Sequence, residues 1–229
     1  MLAMNPLEIV VPTVAVLGST AWAALHPRSQ LFGTTVSSVG NACALTFDDG
    51  PNPNVTPHLL ALLEKYRVPA TFFVLGKYVK EYRQLSNEIH AANHAIGNHT
   101  YGHPSLVFLT RRQIRDELSR CEDALFAATG QRTTAVRPPF GFRGPQFHSA
   151  VREMGFSKII MWSVSGRDWK PQPVARVSRR LRKVRSGDVV LLHDGDHRAP
   201  NADRSHMLRA LEYLLPYWQD SGLQFIKIA

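Results

Sequence analysis

Cysteine is nearly absent from this chain of 229 residues, which holds only Cys43 and Cys121. Two thiols so far apart make neither a disulfide framework nor a zinc-ribbon spacing. Each reads as a small buried residue, Cys43 in a strand and Cys121 in a helix. Acidic residues are also short: 18 Asp and Glu stand against 27 Lys and Arg, for a net charge of +9. That balance points to an acidic partner, or to a surface that is basic without binding anything in particular. Charged residues total only 20% while 44% are hydrophobic, so global disorder is excluded. The length suits one ordinary domain or one α/β barrel. There is no residue-level repeat and no low-complexity tract. The uncharged, mostly apolar stretch from Ile9 to Leu25 is preceded by Glu8 and by no Lys or Arg, so it lacks the flank of a secretory signal. As a helix it would span about 26 Å, just short of a bilayer core, and Pro12 and Gly18 dilute it. Two readings stand: an uncleaved anchor that puts the protein at the cell envelope, or a helix packed on the domain. Composition turns loop-like from Pro27 to Gly40. The expected division is therefore an N-terminal segment and linker over 1–40 and a folded unit over 41–229.

From Asn41 onward, strand-like and helix-like stretches alternate. Apolar runs predict strands at Ala42–Phe47, Ala70–Leu75, Ala95–Asn98, Thr134–Arg137, Phe156–Val164, Asp188–Leu192 and Gln224–Ile228. Between them helices are expected at Thr56–Tyr66, Lys77–Ala92, Thr110–Thr129 (stopped by Gly130), Pro145–Met154, Pro173–Val184 and Asp203–Asp220. Regular alternation implies parallel strands joined by right-handed crossovers. In a parallel α/β barrel the strand C-terminal ends meet on one rim. Five expected strands lead into chemically useful residues: Asp48-Asp49, His99, Arg137, Asp168 and His193.

The chain is organised around Thr46-Phe47-Asp48-Asp49-Gly50-Pro51, a buried strand ending in two adjacent carboxylates. Alone, these residues are compatible with a solvated Asp-Gly turn. A second reading divides labour, with one acid on a metal and the other taking a proton. Three His pairs have the i, i+4 spacing: His90/His94, His99/His103 and His193/His197. Spacing does not choose among them, so position must. His90 and His94 lie away from the rim and read as structural. His99 and His103 follow a strand directly. His193 ends an apolar run, while His197 falls in the acidic loop Asp194–Asn201, which offers the alternative of a metal site of its own.

Together, Thr46-Phe-Asp-Asp-Gly-Pro51, His99-Thr-Tyr-Gly-His103, Arg137-Pro-Pro-Phe140, Asp168-Trp169 and Leu191-Leu-His193 resemble, in order, the motifs of NodB-type polysaccharide deacetylases of carbohydrate esterase family four. The resemblance runs from about Ala42 to the C-terminus. It implies a distorted (β/α) barrel and one divalent metal, zinc first, with cobalt or nickel as substitutes. It also implies removal of N-acetyl or O-acetyl groups from a polysaccharide such as peptidoglycan or chitin-like oligomers. Carried over residue by residue, Asp49, His99 and His103 resemble the metal ligands, a set that leaves a position for water. Asp48 resembles the general base, Arg137 the partner that orients it, His193 the general acid and Asp168 the group that holds His193. Pro138 and Pro139 carry no N–H, so the Phe140 amide is the first donor after Arg137, and the resemblance implies that it stabilises the oxyanion together with the metal. Phe140 itself replaces a Tyr common at that position. Trp169 and Leu191 would wall the acetyl slot, or serve in ordinary packing. Ser165 stands where many members carry a further Asp, which bears on substrate rather than on chemistry.

Other readings keep part of this pattern. A non-catalytic carbohydrate-binding domain would be expected to have lost one of Asp48, Asp49, His99, His103 or His193, and all are present. A nucleic-acid-processing metallohydrolase would need a second metal or a phosphate-clamping loop, and neither stands out, so no nucleic acid partner is expected. A deacylase or deformylase of a lipid-linked or small amide shares the chemistry. The expected partner is an acetylated polysaccharide or oligosaccharide, acted on by a monomer. The basic run Arg176, Arg179, Arg180, Arg182, Lys183 and Arg185 reads either as a solvated helical face or as a dock for an anionic membrane or wall surface.

Overall fold

The computed structural model describes Ala24 and residues 26–229. The stretch Ile9–Leu25 lies outside the described residues apart from Ala24. Among the described residues no helix is long and apolar enough to cross a membrane. Eight strands form one sheet: β1 (Thr35–Val36), β2 (Ala44–Asp48), β3 (Ala70–Val74), β4 (Ala95–Asn98), β5 (Ala135–Val136), β6 (Lys158–Ile160), β7 (Val164–Ser165) and β8 (Val189–His193). Their order is β1-β6-β5-β4-β3-β2-β8-β7, and every pair is parallel. Helices α1 (Thr56–Lys65), α2 (Gly76–Glu81), α3 (Arg83–Ala91), α4 (Arg111–Thr129), α5 (Pro145–Glu153), α6 (Val174–Leu181) and α7 (Ser205–Asp220) lie between and after the strands. The side between β1 and β7 is spanned by irregular backbone. The Met161 amide donates to the Val36 carbonyl at 2.7 Å and the Ser163 amide to the Val189 carbonyl at 2.9 Å. Ser38 and Asp188 form a lone antiparallel bridge there. This is the distorted (β/α) barrel that the motif resemblance implied.

Strand side chains alternate between two environments, as a period of two requires. Leu45 and Phe47 of β2, Phe72 and Val74 of β3, and Val190 and Leu192 of β8 join one cluster with helix residues Leu59, Leu63, Val177, Leu181, Leu211 and Leu214. The opposite faces carry Ala44, Phe73, Ala135, Ile160 and Val189, which form a small separate core inside the curl. On β2 the residues that alternate with Leu45 and Phe47 are Thr46 and Asp48, so the strand delivers its first carboxylate to the interior. Gly97 of β4 leaves room for the Phe73 ring, because a Cβ there would lie 2.4 Å from Phe73 Cε1. The Arg137 guanidinium stacks on that same ring at 4.2 Å.

Several expected boundaries move. The loop-like stretch 27–40 contributes β1, so the sheet begins at Thr35, upstream of the boundary expected at 41. A two-residue edge strand has too few positions to show a period. The helix expected over Lys77–Ala92 breaks at Tyr82 (φ −115°, ψ 53°), which separates α2 from α3. The strand expected over Phe156–Val164 divides into β6 and β7, because its two ends pair with opposite regions of the sheet. The strand expected at Gln224–Ile228 shrinks to one parallel bridge between Phe225 and Cys43. Both cysteines are free and fully buried, as expected. Burial, aided by Asp188, pushes the Cys43 thiol up to about 12, so the thiolate that reactivity requires is not formed at neutral pH.

Candidate active site

The C-terminal ends of β2, β4, β5 and β8 meet at one cavity of about 420 Å³ whose lining includes Asp48, Asp49, His99, His103, Phe140 and His193. The parallel register places Asp48 of β2 directly beside His193 of β8, on neighbouring strands that lie about 4.8 Å apart. Asp48 is almost fully buried, and a single side chain accounts for its position. Fully buried Arg137 donates from Nη1 to Asp48 Oδ1 at 2.7 Å and to Thr46 Oγ1 at 2.8 Å. Its remaining donors go to backbone, Nε to the Ile160 carbonyl at 3.1 Å and Nη2 to the Met161 carbonyl at 3.0 Å. Those two carbonyls lie at and just beyond the end of β6, where the expected long strand is interrupted. The break thus supplies acceptors for a buried cation that would otherwise be costly.

Asp49 turns away from the strand with φ 70°, and Thr100 (70°), His103 (66°) and Phe140 (58°) share this left-handed conformation. Such backbone costs about 1–3 kcal/mol per residue and concentrates at functional sites. The His99–His103 turn is braced from below. The Thr100 amide donates to Asn98 Oδ1 at 2.9 Å, and the His103 amide to Thr100 Oγ1 at 3.0 Å. Glu117 of α4 accepts from the amides of Tyr101 and Gly102 at 3.1 and 2.7 Å. Asn98 is itself fixed by Glu122 at 2.9 Å.

Asp49, His99 and His103 fit a divalent metal. One donor atom from each lies within 4.8 Å of the others. His99 Nδ1 meets the Arg137 carbonyl at 2.7 Å, which assigns the ring proton to Nδ1 and leaves the Nε2 lone pair free. Asp49 Oδ1 is buried without a hydrogen-bond partner and lies 3.6 Å from His99 Nε2 and 3.3 Å from His103 Nε2. Bonds of about 2.1 Å to a tetrahedral cation put ligand atoms about 3.4 Å apart. Burial depresses the His103 imidazole to about 3, against the pull of Asp49 and together with the neighbouring histidines, so the ring is neutral and able to ligate. Burial would raise the Asp49 carboxyl. The nearby His197 ring and the charges of His103, His99 and His193 outweigh it and hold the group well below the usual carboxylate range.

Across the cavity, Asp168 holds His193 twice, accepting from its backbone amide at 2.8 Å and meeting Nδ1 at 3.1 Å. Burial opposes charge on this imidazole, but the charge and hydrogen bond of Asp168, with Asp49 and Asp48 behind, push it up to about 9. Asp168 is fixed in turn by His206 Nε2 at its carbonyl, 2.9 Å away. Phe140 sits in a short 3-10 turn, Pro139–Gly141, whose following amides are spent: Gly141 donates to Pro138 and Phe142 to Pro139. Among the described residues no acceptor takes the Phe140 amide, and the cavity lies beside it. Trp169 and Leu191 also line the cavity, Trp169 edge-on to His193 with centroids 6.0 Å apart. Trp169 is 42% exposed, which sets it apart from core packing. Ser165 stays half-buried and accepts from the Arg167 amide at 3.1 Å, capping the turn that leads to Asp168.

Asp48, Asp49, His99, His103, Phe140, Trp169, Leu191 and His193 line this cavity, with Arg137 and Asp168 buried behind Asp48 and His193. Several neighbours join them that sequence reading did not place there. His197 does not start a separate site in the acidic loop. Its Nδ1 lies 3.7 Å from Asp49 Oδ2 and its ring stacks on His103. The i, i+4 spacing from His193 was its only signal. Asn98, Glu117 and Glu122 carried none. His94, by contrast, is structural as expected: buried, it accepts from the Ala70 amide at 3.2 Å, while His90 is exposed.

A family model described as polysaccharide deacetylase matches residues 36–159. The chain belongs to the polysaccharide deacetylase family. It is 37% identical over 203 residues to a chitooligosaccharide deacetylase of Sinorhizobium fredii, covering 86% of this chain and 91% of that protein. A peptidoglycan-N-acetylglucosamine deacetylase of Bacillus cereus is 31% identical over 188 residues, covering 81% and 85% of the two chains. Among solved structures, the Bc1960 peptidoglycan N-acetylglucosamine deacetylase superposes with a TM-score of 0.78 at 30% identity, over 84% of this chain and 89% of that one. This deacetylase is accordingly a hydrolase, and it holds Asp48, His193 and the candidate metal ligands together around one cavity.

Proposed function

We propose that the protein removes the N-acetyl group from N-acetylglucosamine units of a chitin-type or peptidoglycan glycan. One observation carries the reading. Asp48 on its Arg137 support and His193 on its Asp168 support face each other from adjacent strands, with Asp49, His99 and His103 alongside. Asp49, His99 and His103 would hold a divalent cation, zinc first among those that an N/O set accepts, and it would supply Lewis acidity to the hydrolysis. Asp48 takes the proton of the attacking water as its oxygen bonds to the acetyl carbon. The Phe140 amide donates to the oxygen that gains charge. His193 gives its proton to the sugar nitrogen as the carbon–nitrogen bond breaks, so acetate and a free amine leave. Leu191 and Trp169 wall the space that the acetyl group enters. The 420 Å³ cavity is open enough to take one unit of a longer chain. We place the protein at the cell envelope, held through residues 9–25. The test is fractionation of the full-length chain: sedimentation with membranes that resists high salt is the expected result, and a chain soluble without detergent would overturn the placement.

The test is acetate release by one purified sample from acetylated chitooligosaccharides, peptidoglycan, xylan and small amides, before and after chelation. Release from the glucosamine polymers, abolished by chelator and restored by Zn²⁺ or Co²⁺, is the expected result. Preference for xylan or small amides would reassign the substrate. Full activity in protein shown to be metal-free by elemental analysis would remove the metal assignment.

A further inference from the structure

The two histidines of the proposed metal site are not supported alike. A metal-binding imidazole nearly always gives its second ring nitrogen to an acceptor, which fixes the ring. His99 does so, at the Arg137 carbonyl. His103 does not: its Nδ1 is buried without a hydrogen-bond partner among the described residues. Ring contacts hold it instead. The His197 imidazole lies over one face, with centroids 4.2 Å apart and planes 15° apart, and Phe140 meets it edge-on at 4.5 Å. The same His197 ring brings Nδ1 within 3.7 Å of Asp49 Oδ2, the carboxylate oxygen opposite the one that faces His99 and His103. His197 does not join the donor set, which consists of Asp49, His99 and His103.

His197 is itself held in place. Its carbonyl accepts from Lys77 Nζ at 2.5 Å, and the neighbouring Asp196 carbonyl from the Tyr78 hydroxyl at 2.9 Å, both from α2. Arg204 donates Nη2 to Asp196 Oδ2 at 2.9 Å and Nε to the Gly195 carbonyl at 3.0 Å. Gly195 lies so close to the Asp48–Asp49 turn that a Cβ would fall 2.0 Å from the Asp49 carbonyl oxygen. The loop that bears His197 is thus fastened to the turn that bears Asp49.

We propose that His197 is a positioning residue of the metal centre, holding the His103 ring by stacking and the outer oxygen of Asp49 by its Nδ1. The inference rests on the metal assignment made above. It is tested on the full chain, stripped by chelator, with Zn²⁺ affinity read by competition against a chromogenic chelator. His197→Ala removes both contacts, whereas His197→Phe keeps a ring over His103 and loses the nitrogen. The expected result is Zn²⁺ binding about 10–100-fold weaker for Ala, an intermediate loss for Phe, and an altered visible spectrum of the Co²⁺ form. The thermal midpoint of the metal-free Ala variant should match that of the metal-free parent, since the loop is held by its backbone and by Arg204. Zn²⁺ affinity within twofold of the parent in both variants overturns the proposal. If the Ala variant does not fold, the Phe variant decides by the same twofold criterion. A parent protein that binds no Zn²⁺ at all would instead show the metal assignment to be wrong, a separate outcome.

Discussion

In the proposed reaction Asp48 and His193 carry opposite duties, and their surroundings differ to match. Asp48 is tied to a buried guanidinium, while His193 is tied to a buried carboxylate. Neither belongs to the candidate metal group. Asp48→Asn and His193→Ala should therefore each lower turnover by about 10²–10⁴-fold, the usual cost of losing a general base or acid. Metal content should stay near one equivalent, as elemental analysis would read. Loss of metal from Asp48→Asn with retention in Asp49→Asn would reverse the two carboxylates. The raised His193 predicts a pH profile. A general acid works while protonated, so kcat should hold below the His193 value of about 9 and fall as pH rises through it. Asp168→Asn removes the charge that does most to raise it, and should move this alkaline limb toward neutral pH. An unmoved limb would assign it to another group.

At the scale of single elements, α6 and the loop before β4 each carry a testable consequence. The basic run on α6 is not one uniform face. Arg180 is half-buried, donating from Nη1 to Gln172 Oε1 at 2.6 Å and to the Gly166 carbonyl at 3.4 Å, so it ties the helix to the Asp168 loop. Arg182 lies against the exposed rings of Tyr213 and Tyr217 at 5.6 and 5.8 Å. Arg176, Arg179, Lys183 and Arg185 remain exposed. If this face docks on an anionic surface, binding to insoluble substrate should weaken with salt, since exposed charges are screened beyond about 8 Å at physiological ionic strength. Activity on soluble oligosaccharide should stay flat over the same range. Changing Arg176, Arg179 and Lys183 to Ser should remove the difference, and equal salt sensitivity on both substrates would return the face to plain solvation. Before β4, burial and then Lys227 depress the His94 imidazole to about 4. The unfolded chain takes up that proton near 6.5 and the folded chain near 4. The contribution of His94 is therefore full above about 6.5 and lost as pH falls toward 4. Urea denaturation from pH 7 to pH 4 should show a shallower loss of stability in His94→Gln than in the parent.

For the whole molecule, the described fold begins well upstream of the motifs. Fully buried Arg143 donates Nη2 to the carbonyls of His26 at 2.7 Å and Ser29 at 3.3 Å, and its amide donates to Ala24 at 3.0 Å. β1 adds the edge pairing to β6. A chain starting at Asn41 loses all of these at once. Leaving a buried donor without its acceptors costs about 1–3 kcal/mol, more when the group is charged. Such a chain should unfold at lower urea concentration than one starting at Ala24, and equal midpoints would show that residues 24–40 add nothing.

Much of this was legible along the chain because it is local. An apolar run that ends in a polar residue marks the end of a strand, and β–α alternation forces those ends onto one rim. Asp48, Asp49, His99, Arg137, Asp168 and His193 could be brought together on that logic alone. The inert cysteines and structural His94 followed from position in the same way. Tertiary structure decided what depends on contacts across many residues. β1 is too short to show a period and exists because β6 offers it an edge. The break at Met161–Ser163 follows from pairing at opposite ends of the sheet, and its carbonyls serve Arg137. Parallel register, a property of two strands and of neither alone, sets Asp48 beside His193. Docking of the Asp194–His197 loop onto the Asp49 turn brings a histidine from a polar loop against the proposed metal ligands. Residue type and spacing prescribe each element and what it carries, but only packing between elements specifies which side chains meet.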